Sequence, residues 1–125
     1  MSEFICPFCE PGDRTVVLRN DLAMAFFDKY PVAPGHLLIV PLRHFPSWFD
    51  ATSEEKTAMD QLLDEGRRLL EREFHPDGFN IGVNVGAAAG QTIFHLHVHL
   101  IPRKSGDTTN PRGGVRGVIP GKQEY

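Results

Sequence analysis

Cysteine is scarce in this 125-residue chain: there are two, Cys6 and Cys9. They stand too close together to close a loop of useful size, so a scaffold built on disulfides is excluded. Positive charge is not in excess, since 13 Lys and Arg stand against 16 Asp and Glu, for a formal net charge of −3. So balanced a chain offers no basic field to hold a nucleic acid backbone by counterion release, and Arg112, Arg116 and Lys122 are too sparse to make one. No apolar run approaches the roughly 20 residues that span a bilayer. The opening Met1-Ser2-Glu3-Phe4-Ile5-Cys6 has neither the cationic start nor the apolar stretch of a secretion signal. These absences predict a soluble, cytoplasmic protein with no membrane and no nucleic acid partner. No repeat or linker divides the chain, so one domain over residues 1–125 is expected, and its 41% apolar share is enough for a core of its own.

What is present is concentrated. Of six histidines, three fall within five consecutive positions, His95, His97 and His99, inside the run from Gln91 to Arg103. They alternate with apolar Phe94, Leu96, Val98 and Leu100. Strict alternation predicts a strand with the imidazoles on one face, about 6.6–7 Å apart at Cα, and the apolar side chains in the core.

The rest of the chain supplies a scaffold for that strand. Thr15–Arg19 and Ala23–Phe27 read as a hairpin around Asn20-Asp21, and His36–Val40 as a third, buried strand after a loop set by Pro31, Pro34 and Gly35. Thr52 and Glu55 have capping-box spacing, and Ala58, Met59, Leu62, Leu63, Gly66, Leu69 and Leu70 follow as one helical stripe. A short helical segment is expected near Trp48. Phe79–Val85 reads as a strand and Gly86–Gly90 as a loop of small residues. Strands segregated from one long helix predict an α+β fold, about five antiparallel strands with the helix on one face. Residues 1–13 form a knuckle, and residues 104–125, rich in glycine and proline, an extended tail.

Three uses of the histidine run stay open on the residues alone: ligands of a catalytic zinc, a neutral imidazole nucleophile with supporting neighbours, or an inert polar face. Cys6-Pro7-Phe8-Cys9 supplies half a tetrahedral metal site and needs two more ligands from His36, His44, His75 and the strand histidines. His75, beside Pro76, reads as exposed. Dithiol redox chemistry fits less well, because Pro11-Gly12 stands where a dipole-bearing helix would have to run.

His95-Leu96-His97-Val98-His99-Leu100-Ile101 resembles the His-x-His-x-His-x-x signature, with x apolar, of the histidine triad family of nucleotide hydrolases and transferases. Phe27-Asp28, the run Pro31–Pro41, Asn84 and Gly90-Gln91-Thr92 are similar to the segments that precede the signature in that family. The resemblance covers about residues 4 to 125 and implies the family's fold, a nucleotide substrate and a homodimer. It implies that His97 attacks the α-phosphorus to give a nucleotidyl-histidine, that His99, Asn84, Gln91 and Thr92 contact phosphate or leaving group, and that His36 supports the triad. Asp28 is then the ribose contact, and Phe8 and Phe27 enclose the base. In a subset with an amino-terminal C-x-x-C, the matching residues here, Cys6, Cys9, His44 and His95, hold one structural zinc per chain; no organic cofactor is implied. Gln91-Thr92 and Pro102–Asp107 resemble the dinucleoside polyphosphate hydrolases, Asn84 the phosphoramidate hydrolases. The tail is similar to prokaryotic tails, with Gly117 where many carry tryptophan. The alternative is a nucleotide-binding regulatory or adaptor protein with little turnover, and a third reading is a zinc-dependent hydrolase.

Overall fold

Residues 6–10, 12 and 14–125 are described by a computed structural model, so part of the expected knuckle (residues 1–5, 11 and 13) lies outside the described residues. Five strands form one antiparallel sheet: β1 (Val16–Arg19), β2 (Ala23–Phe27), β3 (Leu37–Pro41), β4 (Gly78–Val83) and β5 (Val98–Arg103), in the order β1-β2-β3-β5-β4. One long helix, α1 (Ser53–Phe74), and short 3-10 turns at Trp48–Asp50, Ala87–Ala89 and Gly114–Val118 complete the α+β architecture. Among the described residues no helix is long and apolar enough to cross a membrane.

The sheet separates two packed layers. On one face Ala23, Ala25, Leu37, Ile39, Val98 and Leu100 meet Ala58, Met59, Leu62 and Leu70 of α1. Gly66 lets the helix settle, since a Cβ there would lie 2.8 Å from a methyl of Leu37 and 3.2 Å from one of Leu100. On the other face Met24, Phe26, Leu38 and Val40 are covered by Cys6 and Phe8. The knuckle thus does for one face what the helix does for the other.

α1 starts where expected. The Thr52 hydroxyl accepts from the Glu55 amide, and the Glu55 carboxylate accepts from the Thr52 amide, closing a capping box. Glu55 is nevertheless buried, which its sequence position does not announce; the Arg43 guanidinium donates to both its oxygens at 2.8 and 3.1 Å. That fork is the first cause, ahead of the Thr52 bonds, holding the carboxyl below the usual range.

The histidine strand is shorter than alternation predicts. β5 begins at Val98, so His95 and His97 precede it and only His99 lies on the ladder. Continuing the β3–β5 register of Ile39 with Val98 would set Pro41 against Leu96, but Pro41 has no amide hydrogen and its carbonyl is taken by the His95 ring. The Leu96 amide turns to the Phe45 carbonyl at 2.8 Å. Phe94, expected in the core, falls in that bend and is 47% exposed, whereas Leu96, Val98 and Leu100 are buried as expected. Beyond Arg103 the chain is less extended than its composition suggests: the turn at Gly114–Val118 packs on β4.

Candidate functional site

The site is built on the face opposite α1, at the junction of β3, β5 and the knuckle. His99 pairs with Leu38 across the β3–β5 ladder, and Leu38 belongs to the layer under Phe8, so the histidines share that face. The ring centroids of His97 and His99 lie 5.1 Å apart. Phe8 meets His97 edge-on at 4.9 Å and Phe26 at 5.4 Å.

Each imidazole is oriented by a different partner, and those partners fix its tautomer. The His95 ring is fully buried and its Nε2–H donates to the Pro41 carbonyl at 2.8 Å, so Nδ1 carries the lone pair. The His97 Nδ1–H donates to the His95 carbonyl at 2.9 Å, which leaves the His97 Nε2 lone pair facing out. At the far end, His36 Nδ1 accepts from the Val32 amide at 3.1 Å, so its proton sits on Nε2 and donates to His99 Nδ1 at 2.9 Å. His99 therefore offers Nε2–H outward. One lone pair and one donor stand side by side, the arrangement a displacement at phosphorus uses.

Electrostatics keep the supporting rings neutral. Burial, then the adjacent His97 and His36 rings, lowers the His99 pKa to about 4. Burial also lowers His36, against the pull of Asp28, whose carboxylate lies 3.6 Å from His36 Nε2. His95 is lowered chiefly by burial. Neutral rings are what the hydrogen-bond pattern requires.

His36 is delivered by a tight loop. The Asp28 amide donates to the His36 carbonyl at 2.9 Å, and that of His36 to the Ala33 carbonyl at 3.1 Å. Gly35 turns the corner at φ +88°, where a Cβ would lie 3.0 Å from the Phe74 ring. One Asp28 oxygen accepts the Tyr30 amide at 3.0 Å, and the other stays available near His36.

Of the remaining residues expected here, some are brought together and some are not. Asn84 follows β4 immediately; one more step of the register of Val83 with Val98 sets it opposite His97. Thr92 is exposed with a free hydroxyl among the described residues. Gln91 is buried, and its amide is committed: Nε2 donates to the Pro46 and Ile93 carbonyls at 2.9 and 3.1 Å, and Oε1 accepts the Gly86 amide at 2.9 Å. Its side-chain amide thus ties the Gly86–Ile93 loop to Pro46. Phe27, expected against a base, packs on the helix layer with its ring 6.2 Å from that of Phe74. Phe26 lies on the triad side instead, fully buried in the layer with Phe8. Residues two apart on a strand share a face, which sets Phe26 on the side of Asp28. The apolar run Ala23–Phe27, with no alternation, hides it.

Cys6, Cys9, His44 and His95 converge beside the triad, with their ligand atoms all within 4.8 Å of one another, and could hold a metal ion. His95 Nδ1 lies 3.4 Å from each sulfur and 3.1 Å from His44 Nδ1, and Cys9 Sγ lies 3.3 Å from His44 Nδ1. The edges of a tetrahedral zinc site with two sulfurs and two nitrogens are about 3.3–3.8 Å from its bond lengths, so the donor set and spacing fit that ion. Four protein ligands leave no position for a reacting water. Asp28, His36 and His99 form a second convergent group, already accounted for by the hydrogen bonds above.

The chain is similar to known proteins in sequence and in fold. The family model described as "HIT domain" matches residues 11–106. The chain is 38% identical over 97 residues to bis(5'-nucleosyl)-tetraphosphatase [asymmetrical] of Schizosaccharomyces pombe, covering 78% of this chain and 53% of that protein. It is 39% identical over 102 residues to an AP-4-A phosphorylase of Mycobacterium tuberculosis, covering 81% and 52%. It thus spans about half the length of these two curated relatives. Among solved structures, a Zn-bound histidine triad family protein from Mycobacterium smegmatis superposes with a TM-score of 0.74 at 32% identity, covering 84% of this chain and 79% of that one.

Proposed function

The chain belongs to the HIT domain family, and on that premise we propose that it is a nucleotide hydrolase or transferase acting through a nucleotidyl-His97 intermediate. The observation that carries the reading is the His97 ring, pinned through Nδ1–H to the His95 carbonyl with its Nε2 lone pair outward beside the His99 N–H. A neutral imidazole is nucleophilic at its unprotonated nitrogen and needs no strong base to act. His97 Nε2 attacks the α-phosphorus, the bond from phosphorus to the leaving group breaks, and His99 Nε2–H supports the oxygen that departs. Water then attacks phosphorus, the nitrogen–phosphorus bond breaks, and a nucleoside monophosphate is released.

The binding roles follow the same face. Asp28 accepts from the ribose hydroxyls, and Thr92 and Asn84 approach the phosphate. Gln91 and His36 act as positioning residues. A dinucleoside polyphosphate is the favoured substrate class, supported by the named activities of the relatives; a nucleoside phosphoramidate is the competing class. Zinc is the metal proposed for Cys6, Cys9, His44 and His95, supported by the sulfur–nitrogen spacing and the Zn-bound relative. It fixes the knuckle to the triad segment and takes no part in bond making. A homodimer is proposed as well, with β4 at the sheet edge and Ile81 exposed there; sedimentation reads it directly.

The test is a panel of dinucleoside polyphosphates and nucleoside phosphoramidates assayed with the wild type and His97→Ala. Turnover by the wild type, abolished in a variant that still binds nucleotide, is the expected result. Turnover retained by His97→Ala would remove the nucleophile, and nucleotide binding without turnover by the wild type would favour the adaptor reading.

A further inference from the structure

Gly82 has no part in the chemistry described above, and neither its backbone nor its packing asks for a glycine. It lies inside β4, where a residue without a side chain weakens the strand. Its φ is not among the positive angles that Gly35, Gly86 and Gly90 adopt, so any residue could stand there. Nor does a neighbour crowd it. Among the described residues a Cβ at Gly82 would meet no atom within 4 Å, in contrast to Gly66, against which Leu37 and Leu100 pack. A strand glycine of this kind marks a place that a ligand or another backbone approaches closely.

The register of the sheet favours the ligand. Phe26 pairs with Leu38, Leu38 with His99 and His99 with Gly82, in one row across the sheet on the triad face. On the β3 side of His99 this row is closed, because Leu38 and Phe26 are buried in one layer with Phe8. On the β4 side it is bare. His99 turns Nδ1 toward His36, which stands at the head of β3, so its Nε2–H lies on the side of the ring away from β3. The donor that supports the departing oxygen therefore faces the open space above Gly82. We infer that Gly82 is a specificity-determining residue: its missing side chain keeps open the path of the leaving group across β4 and admits one as large as a second nucleotide. The nucleoside monophosphate that stays on His97 runs the other way, toward Asp28 at the end of β2, and does not cross Gly82. The inference rests on the nucleotide reading above and adds to it the size of the leaving group.

Calorimetric titration of AMP and of diadenosine tetraphosphate into His97→Ala, and into the same protein carrying Gly82→Ala or Gly82→Leu, tests this without turnover. Gly82→Leu should leave AMP affinity within about twofold and weaken diadenosine tetraphosphate by about tenfold or more, since even one extra methylene in a fitted pocket costs that much. Gly82→Ala should fall between it and the parent. Retained AMP binding shows that the variants fold. Equal affinity of Gly82→Leu and its parent for diadenosine tetraphosphate would overturn the inference while leaving the nucleotide reading intact. So would a Gly82→Leu that weakens both ligands equally, or one whose selective loss comes with altered sedimentation, which would make Gly82 an assembly residue approached by another backbone. Binding of neither ligand to His97→Ala or to the wild type would overturn both readings.

Discussion

His99 shows how one side chain carries a whole protonation scheme. It must accept at Nδ1 from His36 and donate at Nε2, which a doubly protonated ring cannot do. With a folded pKa near 4 against about 6.5 when unfolded, the folded state binds fewer protons between those values, so stability rises with pH there. The contribution is complete above about pH 6.5 and is lost as pH falls toward 4, on the order of 2 kcal/mol after allowing for partial exposure. An NMR titration of the ring nitrogens should find His99 still neutral at pH 5; a midpoint near 6.5 would contradict the assignment. His36→Ala should leave nucleotide affinity nearly unchanged and lower kcat about tenfold, the worth of one hydrogen bond. A change confined to KM would make His36 a binding residue instead.

Among the elements, α1 and β5 teach different lessons. α1 was legible because its cap, its apolar stripe and its stop are all local signals, and the structure keeps them over Ser53–Phe74. Since it packs on the face away from the histidines, Thr52→Ala should cost about 1 kcal/mol by chemical denaturation and leave kcat/KM unchanged. Gly66→Val should cost about 2 kcal/mol by driving a branched side chain into Leu37 and Leu100, with activity again retained per folded molecule. β5 was legible only in part. Alternation correctly placed the histidines on one side, but nothing local revealed that Pro41, more than fifty residues earlier, ends the ladder and takes the His95 ring. The side of β2 facing the site was hidden for a related reason: Ala23-Met24-Ala25-Phe26-Phe27 is apolar on both faces because both are covered.

For the molecule as a whole, the knuckle and the triad form one construction joined at His95. Its ring turns to Cys6, Cys9 and His44 while its carbonyl holds His97. One zinc per chain is expected on metal analysis of the purified protein, lost in Cys6→Ser. Stripping it should lower Tm by more than about 5 °C, since each kcal/mol moves Tm by roughly 3–6 °C for a chain of this size. A stoichiometry near zero would refute the metal, and stripped protein as stable as the loaded form would deny it a structural role. The convergence of Cys6 and Cys9 with His44 and His95, separated by up to 89 positions, was suggested by family resemblance and not by spacing alone.

The central claim is that His97 becomes covalently bonded to phosphorus. The direct measurement is intact-protein and peptide mass spectrometry of wild type quenched in mid-turnover with a dinucleoside polyphosphate. A nucleoside monophosphate adduct on His97, formed and consumed at the rate of turnover and absent from His97→Ala, is the predicted result. Turnover with no adduct at any time point, or an adduct on His99 in its place, would contradict it.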